Sequence, residues 1–272
     1  MRRAVPDLEI LADASSLAER AAGLFAQMAG EAARTVRRFA VALAGGSTPR
    51  QMYVLLAEPA FSSRVDWSRV HFFWGDERCV PPDHSDSNYR MVQEALLNHV
   101  PIPAGNIHRI PGELSPVDAA RAYEHELQGF FVDGIPRFDL ILLGLGEDGH
   151  TASLFPGSEA LRETKRQAVA VSHSTPPPPL VDRVTLTLPV LNAAANVIFL
   201  VAGAGKAERL AQVLNGPFQP DNLPAQAVRP VSGYLLWLVD QAAAAEIPTL
   251  DRQCSTARAF KHKGHKVHQG HI

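Results

Sequence analysis

The chain has 272 residues, a formal net charge of −2 at pH 7, 46% hydrophobic and 20% charged residues. These values exclude collagen-like, coiled-coil and disordered classes, and near-neutral charge disfavours nucleic acid as the main partner, because a phosphate backbone needs a clustered positive surface. Two cysteines, Cys79 and Cys254, are too few for a disulfide framework, no apolar run reaches membrane-spanning length, and the charged first seven residues lack the apolar stretch of a secretory signal. A globular cytoplasmic protein without a membrane partner is expected.

In chain order, apolar residues at helical spacing over 17–33 precede an apolar strand at 39–44. A helix at 52–57, a strand at 69–74 and helices at 88–99 and 116–130 follow. Strands are predicted at 138–143, 167–171, 183–188 and 196–201, then a helix at 206–214 and a strand at 234–239. Ser115 followed by Pro116 has the form of a helix start, and Ser85-Asp86-Ser87-Asn88 that of a cap. Continuous apolar strands separated by helices predict an α/β fold with a parallel sheet covered on both faces. Residues 1–248 read as a single α/β domain without internal repeats. Residues 249–272 read as a solvated tail, basic from Arg258 onward and carrying His262, His265, His268 and His271.

Ligands of open parallel sheets bind beyond the carboxyl ends of the strands, which directs attention to four loops. Gly45-Gly46-Ser47-Thr48-Pro49 follows the 39–44 strand and opens a helix. Its glycines let the backbone approach an anion, the helix start offers unpaired N–H groups, and Ser47 and Thr48 add hydroxyls, so phosphate binding is expected. Gly75-Asp76-Glu77-Arg78 sets two carboxylates and a guanidinium at the end of a buried strand, which is costly unless they are paired or functional.

Gly144, Gly146 and Gly149 satisfy the G-x-G-x-x-G spacing, but residues 168–173 supply no acid to hold a ribose, so the dinucleotide reading fails. What remains is a turn that presents Asp148 beside His150, a carboxylate that can orient an imidazole. Gly203-Ala204-Gly205-Lys206 is not a Walker loop, since Leu200 stands where its first glycine belongs and no Ser or Thr follows Lys206. Lys206 still suits a phosphate as a point charge, with Arg183 as a second cation. There is no G-x-S-x-G, no H-E-x-x-H and no cysteine pair at metal-ligand spacing. Anion grips plus an acid–base pair, free of metal and cofactor, are expected.

Taken together, GGSTP (45–49), WGDER (74–78), SDSN (85–88), GLGEDGHTASLFPG (144–157), RVTLTLPVLN (183–192) and GAGKA (203–207) resemble the 6-phosphogluconolactonase family, in order from about residue 8 to residue 245. The resemblance implies a three-layer α/β/α sandwich on a Rossmann-like, mostly parallel sheet. It implies cofactor-free hydrolysis of 6-phospho-D-glucono-1,5-lactone, the second step of the oxidative pentose phosphate pathway. His150 falls on the family's general base, with Arg78 on the arginine of its DER motif. Phosphate contacts fall on the Ser47–Thr48 loop, Arg183 and Lys206. Asp148 is expected to hold His150, although Asp76 and Glu77 are also candidates for that partnership. A small sugar-phosphate lactone is the expected partner, and a monomer or weak homo-oligomer the expected state. Two other readings are a glucosamine-6-phosphate deaminase and a non-catalytic sugar-phosphate sensor. The deaminases that the chain resembles carry tyrosine in place of Arg78 and an acid soon after the DGH segment, where this chain has none before Glu159.

Overall fold

The computed structural model describes residues 7–132, 134–173 and 178–248. Strand β1 (Asp7–Leu11) leads into helix α1 (Ala14–Arg34), then β2 (Phe39–Leu43), α2 (Ser47–Ala57), the short α3 (Pro59–Ser62), β3 (Val70–Trp74) and β4 (Asp76–Arg78). Next come α4 (Asn88–Ala95), α5 (Pro116–Phe130), β5 (Leu140–Leu143), β6 (Ala168–Val171), β7 (Arg183–Leu186), α6 (Leu188–Ala193), β8 (Asn196–Val201), α7 (Ala207–Asn215) and β9 (Tyr234–Asp240). Six strands form a parallel sheet in the order β1-β9-β8-β5-β2-β3. This bears out the predicted α/β fold with its mostly parallel sheet.

One part of the expectation is corrected. Residues 167–171 and 183–188 do not join the parallel sheet; β6 and β7 pair antiparallel, and with β4 they build a second sheet of order β4-β7-β6. A parallel return takes a crossover of a dozen or more residues, usually helical, and the short β6–β7 connection carries four consecutive prolines at 176–179, a sequence that disfavours a helix. The seventh strand ends at Leu186 because Pro189, in the first turn of α6, already commits the chain to helix. The helix predicted at 88–99 gives way after Ala95 to a 3₁₀ turn at Leu97–His99. Strands β1 and β4, too short and too charged for their pattern to register, were not predicted from the sequence.

Caps explain several element starts. Asp13 accepts from Ser16 N at 2.7 Å before α1, Ser115 accepts from Asp118 N before Pro116 opens α5, and Ser87 accepts from Arg90 N at α4. Helix α1 then buries Leu17, Ala18, Ala21, Ala22 and Phe25, its alanines permitting close approach while Phe25 packs with Phe39, Trp67 and Phe72. The strands that carry the functional loops are pinned where they leave the sheet. The buried Tyr53 hydroxyl accepts from Ala44 N and donates to Ala44 O, at 3.1 and 2.9 Å. The Tyr123 hydroxyl does the same for Trp74, at 3.0 and 2.8 Å. Each phenol thereby satisfies backbone groups that the ladder has released, as buried polar groups require. Among the described residues no helix is long and apolar enough to cross a membrane. The His-rich segment read as a tail lies outside the described residues.

Candidate active site

From β2 the chain runs to β3 on one side, while β5 lies on the other. The loops after β2 and β5 therefore diverge, and such a switch point opens a crevice at the carboxyl ends of the strands. A cleft of about 420 Å³ lies there. Of the residues singled out from the sequence, Gly45, Gly46, Asp76, Arg78, His150, Arg183 and Lys206 line it, and Asp148 stands behind His150. The side chains of Ser47 and Thr48 are not brought to it. They are the first residues of α2, which has Gly46 as N-cap at φ 102° and no side-chain cap. Pro49 at the third position has no N–H, so the helix end offers backbone donors chiefly at Ser47 and Thr48. A second concavity, of about 630 Å³, is lined by Leu161, Pro189 and Val231 among others and contains none of these groups.

The imidazole has one carboxylate partner. His150 Nδ1 lies 2.5 Å from Asp148 Oδ1, which also accepts from His150 N at 3.0 Å. Burial by itself raises the Asp148 carboxyl, but its hydrogen bond to the ring, the charge of the ring and backbone N–H groups outweigh that and hold it below the usual carboxylate range. An ionised Asp148 fixes the proton on Nδ1 and leaves the Nε2 lone pair for the cleft. Gly146 makes the pair possible: a Cβ there would lie 2.1 Å from His150 Nδ1 and 2.7 Å from Asp148 Oδ1. Its N–H donates to His150 O, and Gly149 N donates to Gly146 O. These two N–H groups hold the turn, not a ligand. Phe155 supports the ring from one side, at a centroid distance of 4.6 Å.

Cations face this pair. Arg78 and Arg183 are direct partners in the β4–β7 ladder. Like charges opposite one another destabilise a sheet, and here the nearby Asp76 and Glu77 carboxylates offset the pair. Arg183 is only 4% exposed, and its guanidinium donates to Pro179 O and Val181 O. Burial lowers its pKa, opposed by Asp76, yet the group stays cationic. Lys206, 26% exposed, stands 3.7 Å from Glu147 Oε1, an ion pair weak enough to yield to a ligand.

The two acids of the DER segment divide their work, and neither partners His150. Glu77 accepts from Arg78 N, Asn88 N, Tyr89 N and Ser87 Oγ, tying the start of α4 to β4. Burial raises its pKa, against the opposing pull of those backbone donors. Asp76 accepts from Ser153 Oγ at 2.6 Å and from Asn88 Nδ2 at 3.3 Å, and it lines the cleft. Burial pushes the Cys79 thiol up to about 11, which removes it as a nucleophile. Asn88, read from the sequence only as part of a cap, also lines the cleft. Its signal in the sequence is faint, one amide just after a serine cap.

Residues 12–237 match the family described as glucosamine-6-phosphate isomerases/6-phosphogluconolactonase. A 6-phosphogluconolactonase of Nostoc sp. is 42% identical over 244 residues, covering 88% of this chain and 98% of that protein. The crystal structure of the devB protein superposes with a TM-score of 0.82 at 36% identity, over 89% of this chain and 99% of that one. The 6-phosphogluconolactonase of Trypanosoma brucei gives 0.80 at 31% identity, over 89% and 99%.

Proposed function

The chain belongs to the family of glucosamine-6-phosphate isomerases and 6-phosphogluconolactonases, and from that premise we propose that it hydrolyses 6-phospho-D-glucono-1,5-lactone to 6-phosphogluconate with His150 as general base. The observation that carries this reading is the Asp148–His150 pair set in one cleft with Arg78, Arg183 and Lys206. His150 Nε2 takes a proton from water as the water oxygen bonds to the lactone carbonyl carbon. The proton passes to the ring oxygen as the carbon–oxygen bond breaks. Asp148 holds the imidazole in the required tautomer and stabilises its charged form. A positioned base of this kind supplies about 10²–10⁴-fold.

Arg183, Lys206 and the uncapped start of α2 take the phosphate, and that binding energy places the carbonyl carbon near His150. Arg78 faces the same space and supplies donors to the tetrahedral oxyanion, a contribution on the order of 3 kcal/mol. Asp76 offsets the paired arginines and anchors Asn88. The scheme needs no group beyond these side chains and water. Arg78 in the cleft also weighs against the deaminase reading, whose enzymes carry tyrosine there.

Acid release from freshly generated lactone, measured beside a protein-free control and His150→Ala, tests the proposal. Acceleration that disappears in the variant is expected. Acceleration that survives in it removes His150 from the base role, and none in the wild type removes the activity.

A further inference from the structure

We propose that Asn88 is a specificity-determining residue whose side-chain carbonyl accepts a hydrogen bond from a hydroxyl group of the bound sugar lactone. The inference rests on the lactonase reading above and adds a contact for the uncharged part of the substrate. Asn88 is 2% exposed and lines the cleft. Three bonds fix it. Its backbone N–H donates to Glu77 Oε1 at 2.7 Å, and its Nδ2 donates to Asp76 O at 3.0 Å and to Asp76 Oδ1 at 3.3 Å. Those last two partners settle which end of the amide is which. Turned over, it would set a carbonyl oxygen against a backbone carbonyl and a carboxylate, three acceptors without a proton between them.

The carbonyl oxygen is therefore held away from Asp76 and over Gly45. A Cβ on Gly45 would lie 1.9 Å from Asn88 Oδ1 and 2.5 Å from its Cγ. Glycine at this position thus makes room for the Asn88 amide, whereas the sequence suggested room for an anion. Among the described residues no side chain or backbone group donates to Oδ1. Asn88 lines the cleft, so Oδ1 is placed where a bound ligand can supply the donor that the protein does not. Arg78, Arg183 and Lys206 are donors suited to phosphate and oxyanion, and Asp148 is committed to His150. Asn88 Oδ1 is a neutral acceptor, fixed in direction, and an alcohol O–H is the donor that such a group selects.

The test compares wild type, Asn88→Ala and Gly45→Ala on the parent 6-phospholactone and on its 2-, 3- and 4-deoxy counterparts, with kcat and KM determined separately. Wild type is expected to lose about 10–100-fold in kcat/KM on one deoxy lactone, the worth of one buried hydrogen bond. Asn88→Ala is expected to lose that much on the parent, to be little changed on that same deoxy lactone, and so to treat the two within about 3-fold. Gly45→Ala, in which the new Cβ displaces the amide, is expected to show the same levelling, and it decides the matter if Asn88→Ala fails to fold. Equal losses on every lactone, as a purely structural residue or a contact to the attacking water would give, overturn the proposal. So does discrimination that persists in both variants. A wild type inert toward the parent lactone overturns the functional reading itself, an outcome distinct from both.

Discussion

Replacing Gly146 by alanine tests the proposed general base and its carboxylate partner without touching either. The new Cβ would sit 2.1 Å from His150 Nδ1 and 2.7 Å from Asp148 Oδ1. Ordinary carbon contacts begin near 3.5 Å, so the imidazole must retreat by more than 1 Å or turn away from Asp148. Gly146 is not among the positive-φ glycines, so alanine is not strained in its backbone. It trims the freedom of the unfolded chain instead, worth about 0.4–1 kcal/mol in favour of the fold, which offsets part of the local crowding. Catalysis has no such compensation. Misplacing a reacting group by about 1 Å costs on the order of 10²-fold, and losing the base outright costs up to about 10⁴-fold.

Steady-state kinetics on the lactone should show Gly146→Ala falling 10²–10³-fold in kcat, as an order of magnitude, with KM within a few-fold. The decisive measurement is the double variant. If Gly146→Ala acts by displacing His150, it should cost nothing further in a His150→Ala background, where the offending ring is gone. Additive losses, or a single variant within about 3-fold of wild type, would refute the link between glycine and imidazole.

With the phosphate site as proposed, inorganic phosphate should raise the melting temperature of the wild type, because a ligand of the folded site alone stabilises the fold. At a hundred times its dissociation constant the gain is about 2.7 kcal/mol, or roughly 5–10 °C for a chain of this size. Lys206→Ala should keep the unliganded melting temperature, since its partner Glu147 is 76% exposed. It should also shrink the phosphate shift and raise KM with kcat retained. An undiminished shift would move the phosphate elsewhere.

A separate expectation concerns acid stability. His71 lies 3.1 Å from His108, which is held by Glu126 at 2.6 Å. Burial pushes the His71 pKa down to about 4, with His108 and Arg38 adding positive charge. The unfolded chain then binds a proton near pH 6.5 that the fold refuses until about pH 4. Stability from this residue is whole above pH 6.5 and drains away as pH falls toward 4, by about 1–2 kcal/mol after allowance for solvent screening. Urea unfolding at pH 7 and pH 5 should show a smaller loss in His71→Phe than in wild type; equal losses would refute the assignment.

The sequence by itself determined whatever depends on near neighbours along the chain. Period and capping located the helix Pro116–Phe130 and the strand Asn196–Val201 at their observed bounds. Strand-then-glycine junctions marked the loops that converge on the cleft, and two residues of separation let Asp148 reach His150. Tertiary structure alone decided what depends on pairing across distance. Arg78 stands opposite Arg183 only because β4 and β7 meet in an antiparallel ladder, and nothing in either segment announces the other. Tyr53 and Tyr123 read as ordinary apolar helix positions until their hydroxyls are seen closing the ends of β2 and β3. Gly45 and Gly146 are both glycines in loops, and only packing shows that one vacates space for Asn88 and the other for His150. Local propensity is written in consecutive residues, whereas register and close approach are set by which distant surfaces bury one another, so neither leaves a local trace.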